Sequence, residues 1–231
     1  MSLQQPNVGR ALRFGLFQCL LVLLGILFVH REIWQLRTTT FSLSHWQDWA
    51  FLALSAIDGA ITGAYATSAR NVQHQPAYGR LIRWALPAFL VLFVACSALC
   101  ERLNVGLFRV DSEIMRTLGI LIILGGLAVR VSSQAAMPSA LAEDKPEEAA
   151  VMAFPRGPHK LLRHPDAAGQ LLILLGIPLV FNSWIPLLAL PGVIVLLKWH
   201  ISDQEAFRIS QIGEPYLEYR KGTWNLIPFI Y

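Results

Sequence analysis

The run LLILLGIPLVFNSWIPLLALPGVIVLLKW, residues 171–199, constrains this chain more than any other stretch. A spanning helix needs about 20 apolar residues, so the run is too long for one crossing. Asn182 and Ser183 favour a turn and Pro186 suits the first turn of a returning helix, so a helical hairpin turning at FNSW is expected. Four more apolar segments precede it, at about residues 14–29, 46–69, 84–100 and 118–137. Composition agrees, with 55% apolar and 15% charged residues, against about 25% charged in an average soluble domain. The expected fold is therefore an all-α integral membrane protein of about six transmembrane helices, the last two paired as a hairpin. The first segment lacks a small-residue cleavage pattern before HREIW, so it reads as a retained helix and not a removed signal.

Charge sets the expected orientation. Thirteen of the 19 Lys and Arg residues fall on the side of the termini, five on the other, and Arg130 lies within the fourth segment. By the positive-inside rule both termini are cytoplasmic, with a multi-pass localisation in the membrane. No basic patch interleaved with aromatics points to nucleic acid. Cys19, Cys96 and Cys100 all fall within apolar segments, without the spacing or further ligands of a zinc or redox site.

Three features within the spans bear on packing or function. Asp58 near the middle of the second segment is costly in lipid, so it needs a polar partner or serves a site. Gly59 and Gly63 form a G-x-x-x-G suited to close helix packing. Arg130 sits roughly 10 Å below the cytoplasmic end of its helix, deep enough either to snorkel or to face inward.

Two cytoplasmic elements remain, the loop RGPHKLLRHPDAAG at residues 156–169 and the charged stretch SDQEAFRISQIGEPYLEYRK from Ser202 on. An acidic connector, DKPEEAA, leads into the loop. The loop concentrates two imidazoles, a lysine and two arginines around prolines that stiffen it, which suits either a polar cofactor or lipid headgroups. His159 and His164 lack a third ligand for zinc, and no metal is expected.

These blocks resemble the C-terminal half of the isoprenylcysteine carboxyl methyltransferase family and its phospholipid methyltransferase relatives. Gly157, Pro158, Arg163, His164, Pro165 and Gly169 match its first block, and Glu205, Gly213, Tyr216, Tyr219, Ile227 and Pro228 its second. The resemblance covers about residues 118–231 and leaves residues 1–117 as N-terminal helices of unassigned role. Departures include His159 and Ala167 where the family has Tyr, Gln204 for the first glutamate of a pair, and Ile212 for Phe.

The resemblance implies S-adenosylmethionine bound at the cytoplasmic face and methyl transfer to a lipophilic or lipidated acceptor entering from the bilayer. It implies Lys160, Leu162, His164 and Glu205 as cofactor-binding residues. Arg163 and Arg220 are the candidates to orient acceptor or cofactor at the catalytic centre. His164 and Glu205 are expected to face a solvent-filled cleft. Two alternatives stay open, a non-catalytic membrane subunit or lipid-binding relative, and a sterol-type reductase using NADPH.

Overall fold

The computed structural model describes residues 9, 12–13, 15–20, 23–24, 46–64, 77–110, 112–136 and 157–226. Both chain ends, the connector at residues 144–150, and Ile227 and Pro228 lie outside them. The fold is all-α, with no β-strand among the described residues. Its helices are α1 (Trp46–Ala64), α2 (Ala77–Arg102), α3 (Ser112–Ala136), α4 (Pro165–Val180), α5 (Leu190–Ile212) and α6 (Glu214–Lys221). Helical residues 15–20 precede α1, and Gly15 lies so close to it that a Cβ there would stand 2.9 Å from the Ala56 carbonyl oxygen.

Two stretches, α3 and Ile185–Ser210, are long and apolar enough to cross a membrane. Only 22% of each apolar window is buried, which is unlike the enclosed core helix of a soluble protein. Leu121, Leu124, Val195 and Trp199 instead project outward. The expected hairpin is present: α4 ends at Val180, residues 181–184 turn, and a 3₁₀ turn at Ile185–Ala189 leads into α5. Its first limb begins at Pro165, ahead of the apolar run, because Pro suits the first position of a helix. At 16 residues α4 rises about 24 Å, less than a hydrocarbon core. It is the buried centre of the bundle, with Ile173, Leu174 and Ile177 wholly enclosed.

The turn is held by backbone bonds to the loop after α2. Phe108 N–H donates to the Asn182 carbonyl at 3.0 Å, and Trp184 N–H to that of Gly106 at 2.9 Å. Asn182 takes a left-handed φ of 51°, which Asn tolerates better than most residues. Phe51 of α1 stacks on Phe181 with ring centroids 5.0 Å apart.

Glycines decide the tightest packing. α3 and α4 run antiparallel with Gly119 against Gly176 and Gly126 against Gly169. A Cβ on any of the four would stand 2.6–2.8 Å from the facing carbonyl oxygen. Such backbone-to-backbone approach is how helices associate where lipid removes the hydrophobic drive between them. One core then joins Phe51, Leu90 and Phe93 to Ile173, Ile177, Val193 and Leu197, so residues on both sides of position 118 share it.

Candidate functional site

The two charges singled out within the apolar segments turn inward and meet. Arg130 is 4% exposed and Asp58 3%, and the two form a direct ion pair. Gln18 Nε2 donates to the other Asp58 oxygen at 2.6 Å, and Arg130 Nε donates to Asp166 Oδ1 at 3.1 Å. The snorkelling alternative for Arg130 is thereby replaced by a contact that ties the N-terminal helix, α1, α3 and the first turn of α4 together. Asp166 also suits that first turn, where the helix dipole favours negative charge.

Just beyond Asp166 lies a second cluster, built where the 3₁₀ turn Gly157–Lys160, the start of α4, the end of α5 and α6 converge. Gly213, with φ 73°, ends α5 and lets α6 fold back over it. Residues 222–226 then run beside the loop: Arg163 N–H donates to the Trp224 carbonyl at 2.7 Å, and His164 N–H to that of Asn225 at 3.1 Å. The two sequence blocks singled out above are therefore joined through the main chain.

Arg163 is the hub. Its Nε donates to Glu205 Oε1 at 2.7 Å and its Nη1 to the carbonyls of Arg220 and Thr223. His164 Nε2 stands 3.5 Å from the same carboxylate oxygen, and Arg220 Nε 3.6 Å from the other. Glu205 and His164 are each only 6% exposed, which corrects the expectation that they face an open cleft. Both lie under the chain, and Glu205 stabilises the fold by pairing with Arg163. Burial holds His164 down to about 4, so it is neutral at physiological pH, and the one contact of its Nε2 among the described residues is the long one to Glu205 Oε1.

The remaining sequence candidates separate. Arg220 reaches Glu205 with a half-exposed side chain. Lys160 is exposed on the 3₁₀ turn and makes no ion pair among the described residues. Leu162 is occupied internally: its N–H donates to the Pro158 carbonyl at 3.0 Å, and it bridges to Trp224. Its amide is thus spent on the loop itself, which weakens the expectation that it holds a cofactor. Gln204 contacts His200 at 2.8 Å, and Ala167 packs on the hydrophobic core. His159 lies against Ser133 of α3, its Nε2 3.2 Å from that carbonyl oxygen, and burial lowers its proton affinity. Tyr219 donates to the His159 carbonyl at 2.8 Å, and burial raises its phenol to about 12.

One residue the motif reading passed over is Arg208, whose charge acts on His159, His164 and Tyr219 together. Its signal lay in periodicity: Ile201, Glu205, Arg208 and Ile212 fall on one face of α5.

No group of three or more metal-ligating side chains occurs among the described residues. No family model matches the chain, and no characterised protein or solved structure is similar to it.

Proposed function

We propose that the chain is an integral membrane methyltransferase that uses S-adenosylmethionine, with six spans, both termini in the cytoplasm and a lipophilic acceptor drawn from the bilayer. The observation that carries this reading is spatial. The two blocks that resemble the methyltransferase family, around Arg163–His164 and Glu205–Tyr219, meet through the Arg163–Glu205 ion pair at 2.7 Å.

The polar atoms suit a zwitterionic cofactor. Glu205 Oε1 is taken by Arg163, and among the described residues Oε2 has only the longer contact to Arg220, so Oε2 becomes free to accept from an ammonium group when the half-exposed Arg220 side chain moves aside. His164 Nε2 lies 3.5 Å from Oε1 of the same carboxylate. Arg220, half-exposed, can hold a carboxylate by charge-assisted bonds. When bound, S-adenosylmethionine supplies an electrophilic methyl group. Arg163 acts on this chemistry by fixing Glu205 and closing residues 222–226 over the loop, so that position and exclusion of water do the catalytic work.

A second reading, a non-catalytic lipid-binding relative, draws support from Leu162 and Gln204, both engaged within the protein. Calorimetric titration of the detergent-solubilised chain with S-adenosylmethionine, its demethylated product and NADPH decides among the alternatives. Binding of the first two, weakened by Glu205→Gln, is expected. Binding of NADPH alone overturns the proposal in favour of a reductase, and binding of none favours the non-catalytic reading.

A further inference from the structure

We infer that residues 213–226 form a strap, hinged at Gly213, that lifts off the loop as one unit and admits water-soluble molecules to Glu205. The inference deepens the proposed function and rests on it only for the identity of what enters.

Access is the first argument. Glu205 is 6% exposed, so a ligand arriving from water cannot reach its carboxylate while the chain stays closed. The cover is the strap. Arg220 stands 3.6 Å from Oε2, and Arg163, bonded to Oε1, also holds the carbonyls of Arg220 and Thr223. Arg220 belongs to the strap, so lifting the strap is what moves it aside.

The way the strap is held is the second. Its bonds to the loop are polar: Arg163 N–H donates to the Trp224 carbonyl at 2.7 Å, Trp224 N–H to that of Leu161 at 2.9 Å, His164 N–H to that of Asn225 at 3.1 Å, and the Tyr219 hydroxyl to that of His159 at 2.8 Å. Water replaces such bonds at little net cost, whereas it cannot replace buried apolar area. Tyr216 and Leu226 are the buried apolar residues of the strap, and Tyr216 packs with Ile209, Ile212 and Tyr219 in a cluster apart from the main core. Closure also buries the Tyr216 hydroxyl and Asn225 Oδ1, which have no hydrogen-bond partner among the described residues. Opening relieves both costs. Segments held in this way open locally, well below the free energy of global unfolding.

The hinge is the third. Gly213 takes φ 73° and ψ −138°, a region essentially closed to residues with a Cβ. A Cβ there would meet no atom within 4 Å, so the position calls for glycine by conformation and not by space. On one side of it α5 is fixed in the core by Val193 and Leu197; on the other, α6 buries Tyr216 alone.

Hydrogen exchange of the full chain in detergent tests this, together with carbodiimide labelling of carboxylates read by mass spectrometry. The amides of Arg163, His164 and Trp224 should exchange at one common rate, at least about a hundredfold faster than those of Ile173, Leu174 and Ile177 in α4. Gly213→Ala should raise that rate and the labelling of Glu205 alike, by roughly tenfold, because opening relieves the strain at the hinge. The α4 amides should not respond. Tyr216→Phe should slow both readouts, since it removes the buried hydroxyl. Exchange of the three amides at the α4 rate overturns the strap, as does a Gly213→Ala effect shared by α4 or faster exchange in Tyr216→Phe. Labelling of Glu205 that ignores Gly213→Ala overturns its role in access. Because S-adenosylmethionine is absent throughout, failure of the strap is distinguishable from failure of the cofactor assignment.

Discussion

Among the described residues, two buried charge clusters are separated by little more than the first turn of α4, and they are built differently. In the inner one a single cation faces two carboxylates: Arg130 meets Asp58 and Asp166, and Gln18 donates to Asp58. In the outer one a single carboxylate, Glu205, faces two cations, Arg163 and Arg220, and the imidazole of His164. A buried cation held between carboxylates of different helices fixes how those helices sit against one another, whereas a cluster with more cations than carboxylates retains capacity for an anionic group. The same residue types thus serve assembly in one place and recognition in the other, and stoichiometry tells them apart.

The largest expected effect tests the inner half of that contrast. Arg130→Met leaves Asp58 buried without its counter-ion and should destabilise the protein by about 3–5 kcal/mol in chemical unfolding. The double variant Arg130→Met, Asp58→Leu should recover a substantial part, since the two residues interact directly. If each single change costs no more than a surface substitution, the pair is hydrated and the distinction between the clusters fails.

Next comes pH, which reads the outer cluster. Folded His164 titrates at about 4 and an unfolded histidine near 6.5, so between these values the unfolded state binds more protons. Stability should therefore fall as pH falls through that window, by at most about 3 kcal/mol, and be fully present above it. Melting curves from pH 7.5 to 4 should show this slope in wild type and a reduced one in His164→Gln. Identical slopes would mean that His164 is hydrated and the cluster open.

A smaller effect tests how sterics guard the inner network. A Cβ at Gly169 would stand 2.5 Å from Arg130 Cγ and 2.6 Å from the Gly126 carbonyl oxygen. Gly169→Ala should cost about 1–3 kcal/mol, the range for overpacking. Adding Gly169→Ala to Arg130→Met should cost less than it does alone if displacement of the arginine is part of the penalty.

How much of this was legible depends on how far apart the partners lie in sequence. The hairpin turn could be read from Asn182 and Ser183 because turn chemistry is local. Asp58 and Arg130 were each conspicuous, yet a single helix cannot reveal which way a charge faces when its partner lies on another helix. The glycine pairs carried an unused signal: Gly119 and Gly126 share the spacing of Gly169 and Gly176, as an antiparallel zipper requires. The motif blocks pointed to Arg163, His164 and Glu205 but cast Arg163 as a catalytic group. Its bonds to the carbonyls of Arg220 and Thr223 depend on the chain folding back at Gly213, which no motif spacing encodes.

The smallest expected effect concerns Lys160, and it separates composition from geometry. On charge alone it belongs with the loop's other cations. In the structure it is exposed on the 3₁₀ turn and pairs with nothing among the described residues. Lys160→Ala should shift stability by less than about 0.5 kcal/mol, as ordinary surface changes do. It should also leave the affinity for S-adenosylmethionine within about twofold, because an exposed ammonium in water is screened and mobile. Glu205→Gln and Lys160→Ala each remove one formal charge from the same end of the molecule. Were the two to weaken that affinity equally, proximity to the loop alone would account for binding, and the buried carboxylate on α5 would have no special standing.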